Sequence, residues 1–378
     1  MTDYSAFASL AKLKSIISFA VIYSSIIITF TLSLVLGFII IPKILSYCQK
    51  HDLYDRLDSR KLHTKSIPRL GGLAFLPSML LSFLCGIIVF HYTSDEIKVN
   101  LWAVGVVAGM VIVYITGLAD DHSELSPKLK FLAQFIAAAL LPMCGLYLNN
   151  LYGLFGVYEL SPWIGIPLTI YLIMFVNNSI NLIDGIDGLS SSLCIIALLG
   201  FMYMNLYHDI IVYPALISGI IGVLMAYMYF NIFGNAEKGT KIFMGDSGSL
   251  LLGYMLSFFA LKHAINNTAV LPYRDYALLL PLTLLLIPTF DVVRVIIVRK
   301  MHGLSMTQPD KRHIHHKIMA IGLTQHQTLG VIIAAQICFM ALNYSLYVME
   351  LNCNIILVTD ILVYMLGNWI LNILKKEE

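Results

Sequence analysis

The chain has 378 residues, of which 58% are hydrophobic and only 12% charged, with a formal net charge of +2. A typical soluble domain is about 25% charged, so this composition excludes an ordinary soluble protein and puts the chain in a bilayer. The near-neutral charge, with no basic stripe between aromatics, gives no support to a nucleic-acid partner.

Apolar runs long enough to span, about 20 residues each, fall near 16–42, 71–91, 100–119, 131–148, 163–182, 191–207, 210–230, 247–266, 276–298, 327–349 and 354–374. The pattern predicts an all-α, polytopic membrane helix bundle of about 11 transmembrane helices, a single integral membrane domain over 1–378. The first run and its N-terminal flank are too long for a cleaved signal peptide. With eleven spans the loops alternate sides. One set (43–70, 120–130, 183–190, 231–246, 299–326, 375–378) holds 18 Lys and Arg, and the other holds only Lys98, Lys262 and Arg274. Basic loops stay in the cytosol, which predicts an outside N-terminus in the cytoplasmic (inner) membrane. The six cysteines lie mostly within spans without paired spacing, as reduced core residues do.

Polar residues gather in five clusters, all in the cytosolic set. The first, Lys61 to Gly72, joins four basic residues, Lys61, His63, Lys65 and Arg69, to Pro68 and the pair Gly71-Gly72. Positive-inside anchoring explains any one of these cations. A phosphate clamp explains them together. The second is Asp120-Asp121, where an apolar run meets water, followed by Lys128 and Lys130. Two adjacent acids at a helix end repel, so a cation must compensate, either a lysine or a divalent metal.

The third is Asn177 to Gly188, with Asn178, Asn181 and Asp184 three apart and Asp187 close behind. On a helix these share one broad face, which is costly in hydrocarbon unless it lines a cavity or an interface. The fourth is Lys241 to Ser249, where Asp246 stands between two glycines at a helix start and Phe243 precedes it. An N-cap accounts for Asp246. A metal-phosphate site at a helix N-terminus accounts for it too. The fifth, Pro309 to Lys317, carries Arg312, His313, His315 and His316. It has no Cys partner and no His-Glu-x-x-His, so alternating His and cations point to phosphate oxygen rather than zinc.

In this order the clusters resemble the polyprenyl-phosphate N-acetylhexosamine-1-phosphate transferase family (glycosyltransferase family 4), which includes the WecA and MraY types. The resemblance runs from about Lys61 to Lys317. It rests on Asp120-Asp121 with Leu125, Lys128, Lys130, Phe131 and Gln134; on Asn178-x-x-Asn181-x-x-Asp184-Gly-x-Asp187-Gly-Leu; on Phe243-Met-Gly-Asp246-Ser-Gly-Ser; and on His313-Ile-His315-His316. The last motif, followed by Lys317 rather than an acid, looks like the WecA and TagO branch, and so do eleven spans with the N-terminus outside.

The resemblance implies a helical bundle with a cytosol-facing cleft. It also implies the reaction in which a UDP-N-acetylhexosamine (by default UDP-GlcNAc) and polyprenyl (undecaprenyl) phosphate give polyprenyl-diphospho-sugar and UMP, the first lipid-linked step of surface polysaccharide synthesis. Mg2+ is the usual cofactor, with Mn2+ as an alternative. Asp246 and Asn181 would ligate the metal. Phe243 would pack on uracil, and Asp184 and Asp187 would hold the nucleotide or orient the metal shell. Asp120 would face the lipid phosphate, with Asp121 and Lys128 positioning it. Arg312, His315 and His316 would contact the diphosphate, and Lys65, Lys130, Asn178 and His313 would complete the substrate site. A homodimer is left open.

Three competing readings remain at this point. An MraY-type sugar-peptide transferase shares most of the motifs. A secondary transporter would use intramembrane charges such as Asp291 and Arg294, one turn apart, as an ion path. A catalytically dead scaffold would carry broken motifs.

Overall fold

The computed structural model describes residues 2–54, 67–91, 101–208, 210, 212–268, 270–304 and 312–375, with the side chains of 2–22 and His91 left aside. Each predicted apolar run is helical. In chain order the helices begin with α1 (Thr2–Lys50), a short 3-10 turn at Gly71–Ala74, α2 (Phe75–His91), α3 (Leu101–Ser123), α4 (Pro127–Met143) and α5 (Pro162–Ile183). They continue with α6 (Leu189–Tyr207), α7 (Val212–Ile232), α8 (Gly245–Ala264), α9 (Leu279–Leu284) and α10 (Leu286–Met301). The last three are α11 (Ile314–Met319), α12 (Gln325–Val348) and α13 (Cys353–Leu374). The chain is a polytopic, helical membrane protein.

Among the described residues, eight helices are long and apolar enough to cross a membrane, rather than the eleven expected. The three others are α4, α8 and the run at 276–298. Helix α4 has 17 residues, short of a full span. The run at 276–298 breaks at Leu285 into α9 and α10. Pro288, without an N–H, cannot continue the hydrogen-bond ladder back into α9. Helix α8 has 20 residues, but Gly, Ser, Lys262 and His263 dilute its apolar character.

Burial explains why α8 tolerates that dilution. Nearly every residue from Ser247 to Phe259 is buried, because α3 and α5 pack directly along it. It is the axial helix of the bundle, surrounded by protein. The glycines make the packing close. A Cβ on Gly117 of α3 would lie 2.4 Å from Ser247 Cα, and one on Gly253 of α8 would lie 2.7 Å from Asn177 Cα of α5. Helices α1, α2 and α7 form a second wall, and α12 and α13 close the other side.

Between α4 and α5 a small antiparallel hairpin forms from β1 (Asn150–Leu154) and β2 (Val157–Glu159). Its two turn residues, Phe155 and Gly156, have φ of 55° and 74°, as a tight hairpin turn needs. It docks on α13, where the Asn354 side chain accepts from Phe155 N at 2.7 Å and donates to Gly153 O at 3.0 Å.

The up-and-down winding brings the end of α3, the start of α4, the end of α5 and the start of α8 to one end of the bundle.

Candidate active site

The centre of that end is the first turn of α8. Gly245 precedes Asp246 with φ +72°, and a Cβ there would lie 2.0 Å from Arg69 O and 2.5 Å from Asp121 Oδ2. Only glycine fits the conformation and the space. Asp121, at the end of α3, caps this turn. Its Oδ1 accepts from Asp246 N at 2.7 Å, and its Oδ2 accepts from Ser247 N at 3.0 Å and from Ser247 Oγ at 2.7 Å. The seat for an anion at the α8 N-terminus is therefore filled by a protein carboxylate rather than left for a phosphate. Asp246 is not the cap; it is capped.

Freed from capping, the Asp246 side chain turns to its neighbours. Its Oδ1 accepts from Asn181 Nδ2 at 2.8 Å, and the same amide donates to Ser249 Oγ at 2.8 Å. Its Oδ2 pairs with the Lys130 ammonium, which also lies 3.5 Å from Asp120 Oδ2. Asp120 Oδ1 accepts from Leu125 N at 2.9 Å. Asp120, Lys130, Asp246 and Asn181 thus form one chain of contacts drawn from α3, α4, α5 and α8.

Helix phase selects Lys130. Ser126 caps α4 and Pro127 starts it. Residues two apart on a helix point about 200° apart. Lys130 and Gln134 share the inner face, where Gln134 Oε1 accepts from Asn178 Nδ2 at 2.8 Å. Lys128 is exposed on the other face. The expected partnership of Asp121 with Lys128 is corrected: Asp121 holds α8, and Lys130 is the bridging cation. Asn178, expected at the substrate, ties α5 to α4 by this bond and to Met174 O at 2.7 Å.

The chain then turns through Asp184 and Asp187. Burial pushes the Asp184 carboxyl up to about 7, and Asp187 and Asp121 add like-charge repulsion. Asp187 is neutralised by Lys241, whose Nζ lies 2.6 Å from Oδ2. Gly188, at φ +74°, donates its N–H to Asn231 Oδ1 at 2.7 Å, and Asn231 in turn donates to Ile242 O at 2.9 Å. These bonds align the turn after α5 with the segment before α8.

Phe243 is half-buried on that segment, which is pinned by the first cluster. Phe243 N donates to Pro68 O at 2.8 Å, Gly71 N to Phe243 O at 2.9 Å and Gly72 N to Met244 O at 2.8 Å. Arg69, grouped by sequence with the phosphate-clamp cations, instead donates to the end of α3, to Asp121 O at 3.1 Å and Asp120 O at 3.2 Å. Lys65 lies outside the described residues.

The histidine segment approaches from the other side. His315 is 1% exposed, and a Cβ on Gly185 would lie 2.2 Å from its Nε2. Its ring therefore rests on the Asp184–Gly185 turn. Burial, with help from His316 and His313, holds its pKa down at about 3. His315 is therefore held as a neutral imidazole at pH 7, a single N–H donor, and among the described residues neither ring nitrogen has a hydrogen-bond partner. The His316 ring lies 4.2 Å away. His313 turns away from Asp184 and Asp187 and toward α10, with its Nδ1 2.7 Å from Asp291 Oδ2. Arg312 is partly exposed next to it.

The family model for glycosyl transferase family 4 covers residues 103–264, from α3 to the end of α8. A Bacillus subtilis protein named as a probable undecaprenyl-phosphate N-acetylglucosaminyl 1-phosphate transferase is 32% identical over 309 residues, 81% of each chain. The chain belongs to glycosyl transferase family 4. An Escherichia coli K12 protein named as undecaprenyl-phosphate alpha-N-acetylglucosaminyl 1-phosphate transferase is 29% identical over 80% of each chain. A Mycobacterium tuberculosis protein named as decaprenyl-phosphate N-acetylglucosaminephosphotransferase is 32% identical over 72% of this chain and 70% of its own.

For a family 4 transferase the donor set can be tested against a divalent cation. Among the described residues, no three His, Cys, Asp or Glu side chains converge as a ready-made metal cage. Mg2+ does not need one, because it usually takes one or two carboxylates together with substrate phosphates and water. Asp246 and Asn181 carry hard oxygen donors, and Asp120 adds a partly exposed carboxylate beside them. An ammonium already sits between Asp120 and Asp246. The residues fit the ion.

Proposed function

We propose that this chain transfers N-acetylglucosamine 1-phosphate from UDP-GlcNAc to a polyprenyl phosphate, giving polyprenyl-diphospho-GlcNAc and UMP. The observation that carries it is the meeting of Asp120, Lys130, Asn181 and Asp246 at the capped start of α8. The names of the relatives, aligned over most of this chain, support the same transfer.

An oxygen of the lipid phosphate bonds to the phosphorus that carries the sugar, and the bond from that phosphorus to the oxygen bridging to UMP breaks. The sugar C1–O bond is untouched, so its anomeric configuration is kept. The work left to the protein is charge and position. A phosphate monoester has a second pKa near 6, so no strong base is required. Asp120, partly exposed, accepts any remaining proton and orients the attacking oxygen. Lys130 shields Asp120 from Asp246 and offers its ammonium to phosphate oxygen. Asp246 and Asn181 would hold Mg2+, which when bound neutralises the diphosphate and eases departure of UMP. Asp184 and Asp187 line the turn beside His315, which offers one neutral N–H. Phe243, on the segment before α8, would stack on uracil.

The protein is multi-pass. We place it in the cytoplasmic membrane with the site on the cytosolic face: with α4, α8 and the α9–α10 pair counted as crossings beside the eight long apolar helices, 18 basic loop residues fall on one side against three on the other. The transporter alternative loses its main feature, because Asp291 and Arg294 are occupied in holding the histidine segment. The test uses purified protein, polyprenyl phosphate, Mg2+ and a panel of UDP-sugars, following UMP. UDP-GlcNAc should be the preferred donor, and Asp246→Asn should abolish nearly all release. Activity of that variant within about threefold of wild type would remove Asp246 from the metal site, since losing metal-assisted neutralisation costs several kcal/mol of barrier.

A further inference from the structure

Asp291 is fully buried on α10, and its carboxylate is shared among four groups. Oδ2 pairs with His313 Nδ1 at 2.7 Å, while Oδ1 accepts from Ile314 N at 3.0 Å and from Arg294 Nη2 at 2.7 Å. The fourth is Tyr364 of α13, whose hydroxyl lies 3.4 Å from Oδ1. Arg294 also donates to Arg312 O. One ion pair thus grips three consecutive residues, Arg312, His313 and Ile314. One turn further along α13, Asn368 Oδ1 accepts from Lys317 Nζ at 3.1 Å. Tyr364 and Asn368 lie four apart on the buried stripe of α13, which continues to Asp360. Asp360 pairs with Asn343 of α12 at 2.9 Å.

A buried carboxylate is costly in a membrane protein unless its partners are fixed. Here the partners are the backbone and side chain of the segment that seats His315 on Gly185. We propose that α13, outside every catalytic motif, is a positioning element for the histidine segment. Tyr364 acts through Asp291 on His313, and Asn368 acts through Lys317 on α11. Asp291, Tyr364 and Asn368 are positioning residues that set where His315 and His316 stand relative to the Asp184–Asp187 turn. This rests on the reading of that segment as the diphosphate-contacting part of the site.

The experiment uses the full chain in nanodiscs. Hydrogen exchange of a peptide covering 312–319 is compared between wild type, Tyr364→Phe, Asn368→Ala and the conservative Asp291→Asn. Asn343→Ala, which cuts the α12–α13 bond next to Asp360, is the control for simple loosening of α13. Tyr364→Phe and Asn368→Ala should each speed exchange of the Ile314 and His315 amides, while Asn343→Ala lowers thermal stability without doing so. In the UMP assay Tyr364→Phe should raise the UDP-GlcNAc KM about fivefold, the size of one hydrogen bond, with kcat within about twofold. In a His313→Gln background the same substitution should change KM by less than about twofold, because the path through His313 is already cut. Unchanged exchange in both α13 variants, or a KM effect that adds in full to that of His313→Gln, overturns the proposal. If wild type releases no UMP, the transferase reading fails and the exchange data alone decide the positioning role.

Discussion

Asp120 and Asp121 are adjacent acids, and the structure separates their roles sharply enough to measure. Asp121→Asn replaces a carboxylate that accepts three hydrogen bonds, from Asp246 N, Ser247 N and Ser247 Oγ. An amide has one acceptor oxygen, so its NH2 must face at least one of these donors. Losing a charge-assisted bond costs about 1.5–3 kcal/mol, and leaving a buried donor unpaired adds to it. The loss of helix capping at α8 lies in the same range. A destabilisation of about 2–4 kcal/mol follows. Asp120→Asn is different. The side chain is partly exposed, its 3.5 Å contact with Lys130 is long, and an amide oxygen can still accept from Leu125 N. Its cost should be about 0–1 kcal/mol. The assay is thermal unfolding of the detergent-solubilised protein beside UMP release at saturating UDP-GlcNAc. Asp121→Asn should melt several degrees below wild type and lose activity, because the turn that carries Asp246 loosens. Asp120→Asn should melt close to wild type and lose kcat with little change in UDP-GlcNAc KM. An Asp121→Asn protein that unfolds at the wild-type temperature would refute the capping role.

Three further outcomes are expected. Lys130→Ala should reduce kcat by at least about tenfold, as loss of a charge-assisted contact in the site implies, whereas exposed Lys128→Ala should stay within about twofold; equal defects would return Lys128 to the site. Asp184, raised from 3.8 to about 7, holds its proton more tightly when folded, so its stabilising contribution is full below about pH 4 and is lost as pH rises through about 7. The melting temperature of Asp184→Asn relative to wild type should therefore climb between pH 5 and pH 8 without metal, and a gap that stays flat would mean the carboxyl is not raised. In a cysteine-depleted background, an impermeant thiol reagent should label Ser123→Cys and Lys238→Cys only from the cytosolic side and Asn267→Cys only from outside; Ser123 and Lys238 on opposite faces would break the single cleft.

Most of the fold, and the polar clusters that gather at one end of the bundle, were legible in one dimension. Apolar runs of membrane length are a local property, set by the cost of an unsatisfied backbone in lipid. So is the clustering of acids, amides and histidines where those runs end. The pairings within the site are not local. Asp121 and Ser247 are 126 positions apart, and nothing near Asp121 says that it caps α8. That assignment needs the α3–α8 packing, which Gly117 permits by bringing the helices together. Lys130 was half legible: Ser126 and Pro127 set the phase of α4, and the Lys130–Gln134 face follows from it. Which face points inward was decided by Asn178. Asp291 read as an intramembrane charge because sequence places it mid-run, and only tertiary contact shows its partners to be the histidine segment and α13. Hydrophobicity assigns each residue to lipid, protein or water by its own chemistry. Hydrogen bonds and ion pairs depend on a second residue, and the fold alone determines which one that is.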